Sequence, residues 1–276
     1  MPSSNTQAHA LPVLAVDVGN TSTNFGLFAA GAGEKDEPIG TWELTTPQRL
    51  TADEARMQAT QVLRMLACDL KQGGSALPEI GAILSCVVPQ LNDAWKAGLA
   101  AACKTRPSVV GPGLKTGLKM HYRDPAEIGP DRIADALAAR ATYGAPTVAV
   151  DFGTTMNIEV IDREGTFLGG IIAPGIMLGA QALHLAAARL PIVELREPKS
   201  VIGRSTREAM QSGLVFGEIE RVDGLIDRVF DELGEKATVV LTGSLAAQMA
   251  PLLAHEAHVD QTLTLRGLHQ LYARNM

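Results

Sequence analysis

The chain carries one short pattern twice, and that repeat limits what it can fold into. Ala15-Val16-Asp17-Val18-Gly19-Asn20-Thr21 matches Ala149-Val150-Asp151-Phe152-Gly153-Thr154-Thr155. Each copy follows an apolar, strand-like run, at 11–16 and 146–150, and each precedes a second such run, at 25–29 and 158–161. Two β-hairpins with polar, glycine-containing tips are expected. Two copies this far apart point to a duplicated domain, because a solenoid needs more and shorter repeats.

Strand-like and helical stretches alternate after each hairpin, which predicts α/β layers in both halves. In the first half, 40–44 reads as a strand and Thr51 with Glu54 as a capping box. Val62, Leu63, Leu66 and Leu70 then make a helical stripe. A buried strand at 80–88 ends at Pro89, followed by a helix at 91–102 and a short strand at 108–111. In the second half we expect a strand at 165–172, a helix at 175–189 and a long helix at 207–233, bent at Gly213 or Gly217. A strand at 239–241, a helix at 245–253 broken at Pro251 and a closing helix at 265–274 complete it. The Ala- and Leu-rich helix 175–189 suggests burial on both sides, within its domain or at a dimer interface, with His184 packed on it. The domain boundary is placed at 124/125, giving domains 1–124 and 125–276.

Composition excludes several classes. A formal charge of −6 over 276 residues argues against wholesale binding to nucleic acid or anionic membrane. No apolar run approaches the roughly 18 residues a membrane span needs. Residues 1–11 lack the regions of a signal peptide and read as a short disordered lead, so a cytoplasmic setting is expected. Cys68, Cys86 and Cys103 form no metal-ligand spacing and read as small hydrophobes.

The hairpin tips suggest phosphate binding. Gly19 allows close backbone approach, and Asn20, Thr21, Ser22 and Thr23 offer small donors. Asp17 at the strand end is a candidate ligand of hydrated Mg²⁺ riding on ATP phosphates. One such tip could be a plain polar turn; two matching tips favour a nucleotide. P-loop and Rossmann fingerprints are absent. In Gly129-Pro130-Asp131-Arg132, Pro130 suits a first helical residue, which places Asp131 in the first turn. Such an acid serves the helix dipole, or it accepts a proton from a substrate hydroxyl attacking a γ-phosphorus, as kinase aspartates do. Arg132 beside it suits a phosphate or carboxylate.

Taken in order, these residues resemble the type III pantothenate kinase family. Asp17-Val18-Gly19-Asn20-Thr21 resembles its DxGNT loop, Ser85-Cys86-Val87-Val88-Pro89 its SxVVP strand end, and Gly129–Arg132 its GxDR motif. Asp151-Phe152-Gly153-Thr154 resembles DFGT, and the run from Gly169 to Gly175 resembles GGxIxPG. Leu190-Pro191, the run from Ile202 to Thr206 and the Thr242-Gly243 turn are also similar. The resemblance implies an actin-like fold of two duplicated ribonuclease-H-like domains with a central cleft, a homodimer, and phosphorylation of pantothenate from ATP in coenzyme A synthesis. It implies an ATP loop from Asp17 through Val18, Gly19, Asn20, Thr21, Ser22 and Thr23 to Asn24, with Thr154 also on ATP. Asp131 becomes the general base, and Tyr122, Gly129, Pro130, Asp131, Arg132 and Thr206 contact pantothenate. Asp151 holds a monovalent cation, potassium or ammonium. The chain departs from the family at Thr155-Met156-Asn157 and at Ser244, which bears on nucleotide affinity and cation preference. Two alternatives stay open on the residues alone: a kinase for another small acceptor, or a nucleotide-binding regulatory protein of the same fold.

Overall fold

The computed structural model describes residues 11–68, 78–187 and 190–276. Residues 1–10 of the expected lead, Leu70 of the helical stripe, the side chain of Cys68 and Arg189 lie outside the described residues. The first hairpin is β1 (Val13–Val18) against β2 (Ser22–Phe28), with Asp17 opposite Asn24. β3 (Gly40–Thr45) pairs antiparallel with β2. α1 (Ala52–Cys68) begins at the expected capping box. The Glu54 N–H donates to Thr51 Oγ1 at 3.2 Å, and the Thr51 N–H donates to Glu54 Oε2 at 2.8 Å. β4 (Gly81–Cys86) runs parallel to β1, and α2 (Pro89–Cys103) follows, with Pro89 in its first turn. β5 (Ser108–Val109) closes a sheet of order β3-β2-β1-β4-β5.

Side chains alternate across a strand, and this sorts β1. Leu14, Val16 and Val18 pack with α1 and α2, around the fully buried Trp95. Val13, Ala15 and Asp17 take the opposite face.

β6 (Lys119–Met120) and α3 (Pro130–Tyr143) come next. The second hairpin is β7 (Thr147–Phe152) with β8 (Thr155–Ile161), which pairs antiparallel with β9 (Thr166–Pro174). α4 (Ile176–Ala186) and α5 (Thr206–Leu233) precede β10 (Thr238–Thr242), which runs parallel to β7. α6 (Ala246–Met249), β11 (Ala257–Val259) and α7 (Leu263–Asn275) end the chain. The second sheet has the order β11-β10-β7-β8-β9-β6. Apart from the appended β6, it repeats the strand order and directions of the first. That is a duplicated α/β architecture. Val148, Val150 and Phe152 form the second core with Val215, Ile219, Val222 and Ile226 of α5.

Chain contacts define two compact units. The first holds residues up to Gly117, then 124–141 and 262–276; the second holds 118–123 and 142–261. A single cut at 124/125 therefore does not describe the division, because α3 and α7 belong to the first unit. α7 packs on β1, β2 and β4, and Thr264 Oγ1 donates to Asp135 Oδ1 of α3 at 2.6 Å.

Other expectations also change. α5 is unbroken at Gly213 and Gly217, because its apolar stripe packs continuously on the sheet. α6 stops before Pro251 and passes into a 3₁₀ turn at Ala250–Leu252, as expected. Within the protomer α4 is not buried on both sides: only Ile176 is buried, while Met177, Leu178, Leu183 and Leu185 are exposed. His184 is exposed rather than packed, its Nδ1 2.8 Å from the Leu190 carbonyl oxygen. Cys103 is buried and Cys86 half-buried. No described helix is long and apolar enough to cross a membrane.

Candidate active site

The first hairpin tip is held by backbone and hydroxyl bonds. The Gly19 N–H donates to the Ser22 carbonyl at 2.9 Å, the Thr46 N–H to the Thr21 carbonyl at 2.9 Å, and the Val87 N–H to the Val18 carbonyl at 3.0 Å. The hydroxyls of Thr23 and Thr46 meet at 2.9 Å. Asn20 and Thr21 are exposed. Val18 and Thr23 are buried.

Asp17 stands at the root of this tip, directly across from Ser85 of β4. Its Oδ1 and the Ser85 Oγ are both buried and have no hydrogen-bond partner of normal geometry. The Ser85 hydroxyl is still near enough to favour the charged carboxylate, but burial, and next the Asp131 carboxylate, push the Asp17 carboxyl up to about 7. A buried carboxylate oxygen without donors is costly. A hydrated Mg²⁺ would satisfy it, and the donor set fits an ion that keeps most of its waters and takes one carboxylate.

Asp131 lies in the first turn of α3, in the same unit as Asp17. Its Oδ1 accepts the Arg132 N–H at 2.9 Å. Burial raises its carboxyl above the usual range, against the pull of that N–H and of the Arg132 guanidinium. Arg132 itself is buried. Gly129 is required by this arrangement, since a Cβ there would lie 2.4 Å from Asp131 Oδ1.

The second tip is built alike but is one residue shorter. Three residues separate the paired Phe152 and Met156, and four separate Val18 and Thr23. The register therefore equates Thr155 with Ser22, not with Thr21 as the aligned letters suggest. Asp151 faces Asn157 on one side and Thr242 of β10 on the other. Gly243, at φ +88°, curls over its carboxylate, and a Cβ there would lie 2.4 Å from Oδ1 and 2.7 Å from the Phe152 carbonyl oxygen. This leaves an oxygen-lined cradle that a side chain would fill. Thr154 is exposed, and its carbonyl accepts the Gly175 N–H at 3.1 Å, just ahead of α4.

Of the expected substrate contacts, Gly129, Pro130, Asp131 and Arg132 belong to the first unit, as Asp17 does, while Tyr122 and Thr206 belong to the second. Tyr122 stacks on Phe167 with ring centroids 6.1 Å apart and rests against Gly169. Thr206 is exposed in the first turn of α5, behind a Ser205 cap that accepts the Glu208 N–H at 3.2 Å. Sequence reasoning missed Ser85 and Thr242 as the hydroxyl neighbours of the two aspartates. Both lie in motifs visible in the sequence, but their pairing joins parallel strands far apart in the chain.

Comparison with known proteins gives the family. The family model for type III pantothenate kinases matches residues 13–228. A type III pantothenate kinase of Bacillus cytotoxicus is 38% identical over 268 residues, covering 95% of this chain and 96% of that protein. Among solved structures, a conserved Campylobacter jejuni protein assigned to the Baf family of transcriptional activators matches with a TM-score of 0.58 at 19% identity, covering 95% of this chain and 98% of that one. That likeness is one of fold. With a family model spanning most of its length and a relative this similar from end to end, the chain belongs to the type III pantothenate kinase family.

Proposed function

We propose that the protein transfers the γ-phosphate of ATP to the hydroxyl of pantothenate, the first step of coenzyme A synthesis, in the cytoplasm where its donor is held. The observation that carries the reading is the half-buried Asp131 carboxyl, close enough to Asp17 to act on it, at the root of a glycine-containing tip. The Asp131 carboxylate, oriented by the Arg132 N–H on Oδ1, takes the proton as the pantothenate oxygen attacks the γ-phosphorus and ADP departs. Its raised affinity for a proton makes it a stronger base than an ordinary carboxylate. Mg²⁺ on the nucleotide neutralises phosphate charge, and Asp17 would hold it through water. Backbone groups from Asp17 to Asn24 and Thr154 orient the phosphates; Tyr122, Gly129, Pro130, Arg132 and Thr206 bind pantothenate.

The cradle around Asp151 supports a site for potassium or ammonium, since its oxygens suit a large, weakly hydrated ion. A homodimer is supported by the exposed Met177, Leu178 and Leu185 of α4, together with Ile192 and Ile202. Apolar patches of this kind mark interaction surfaces. A coupled ADP-release assay tests the reading with pantothenate, a sugar or no acceptor, in potassium and in sodium. Turnover that needs pantothenate and falls in sodium is expected. Equal ADP release without pantothenate contradicts the acceptor, and equal rates in both salts contradict the ion.

A further inference from the structure

A positive side chain strengthens the grip on a triphosphate, and neither hairpin tip has one. Residues 17–24 and 151–157 contain no Lys or Arg, and each stretch contains an aspartate. The negative charge of a nucleotide would thus meet another negative charge at each tip. Beside the first tip lies a cavity of about 420 Å³. Its wall takes Asn20 from the tip, Thr46, Gln48 and Arg49 from the β3–α1 connection, and Val88 and Gln90 from the start of α2. No acidic residue lines it, in a chain that has 30 of them, and Arg49 is its one charged residue.

The wall is fixed to the tip. The Thr46 N–H and hydroxyl are bonded to Thr21 and Thr23, and Val87 is bonded to Val18. Arg49 is exposed, and among the described residues it makes no ion pair that would occupy its guanidinium. The planar fork of arginine matches two phosphate oxygens at once. The carboxamides of Asn20, Gln48 and Gln90 add neutral donors.

We propose that this cavity is a polyphosphate subsite and that Arg49 is the cation that binds the phosphates of the nucleotide beside the first hairpin tip. The inference rests on the reading of that tip as the nucleotide loop. It assigns to the β3–α1 connection the charge that the loop itself lacks.

Isothermal titration of the full chain with Mg-ATP, magnesium tripolyphosphate and adenosine tests it. Arg49→Gln should weaken binding of Mg-ATP and of tripolyphosphate about tenfold each, the usual worth of one charged hydrogen bond. Arg49→Lys, which keeps the charge and loses the fork, should recover part of that. KM for ATP should rise with the binding loss, while KM for pantothenate stays within about twofold, and a melting curve equal to wild type would verify the fold. Unchanged Mg-ATP affinity overturns the proposal. So does weaker adenosine binding with tripolyphosphate unaffected, which would make the cavity a nucleoside site. A wild-type protein that binds Mg-ATP through Arg49 without phosphorylating pantothenate would refute the functional reading and leave this subsite standing.

Discussion

The two hairpin tips share a backbone device and differ in what surrounds the aspartate. Asp17 and Asp151 occupy the same place in two sheets of the same order, each opposite an asparagine and beside a hydroxyl residue. The residue after that hydroxyl separates them. In the first unit it is Cys86, whose thiol bonds the Val88 carbonyl at 3.2 Å. In the second it is Gly243, whose backbone closes over the carboxylate. A second carboxylate, Asp131, acts on Asp17 and helps raise its carboxyl to about 7. The repeated pattern fixes where each aspartate stands, and its neighbours fix what it does. The first tip has a second carboxyl acting on its aspartate, and the second has a backbone cradle.

The comparison can be broken from the side of the base. Gly129→Ala would put a Cβ 2.4 Å from Asp131 Oδ1 and displace that carboxylate. A displacement of this kind costs up to about 10²-fold in kcat, with Mg-ATP binding unchanged. Steady-state kinetics with wild-type kcat would mean that the position of Asp131 does not matter to the reaction.

Next in size is the cradle. Gly243→Ala forces a side chain to φ +88° and against Asp151. A loss of about 1–3 kcal/mol in urea unfolding is expected, in the range for strained backbone. Cys86→Ala, at the corresponding place in the first unit, should cost clearly less. Equal costs would show that the two positions are not distinguished.

The smallest expected effect is the pH dependence of stability without nucleotide or metal. The Asp17 carboxyl moves from 3.8 to about 7 on folding. Between those values the folded protein keeps a proton that the unfolded chain has released. Stability therefore falls as pH rises from about 4 to about 7 and levels off above that. Asp131, shifted the same way, adds to the slope. Asp17→Asn should flatten the curve and melt a few degrees above wild type at pH 8, on the order expected for about 1 kcal/mol in a domain of this size. The same slope in both proteins would mean that Asp17 is not the group responsible.

Much of this was legible in the sequence because the signals are local. The repeat announced both hairpins, Thr51 and Glu54 announced the start of α1, and Pro130 placed Asp131 in a first turn. What was hidden depends on distant partners. β6 and β11 are edge strands of two and three residues, too short to show a period. The aligned letters equated Thr21 with Thr155, and only the strand register reveals the missing residue in the second tip. α4 is apolar by composition, and nothing in its letters says whether its face is covered within the protomer. Arg49 lies between two recognised elements in a connection without a motif, so only the folded wall around Asn20 brings it to notice.

The account turns on Asp131 as the group that takes the proton, which the first unit has and the repeat alone does not supply. The direct measurement is the single-turnover rate of phosphoryl transfer to pantothenate by Asp131→Asn with Mg-ATP bound. A loss of about 10²–10⁴ in rate with unchanged Mg-ATP affinity is predicted, the range for general-base help. Transfer at close to the wild-type rate would contradict the account and leave Asp131 as a helix-start residue.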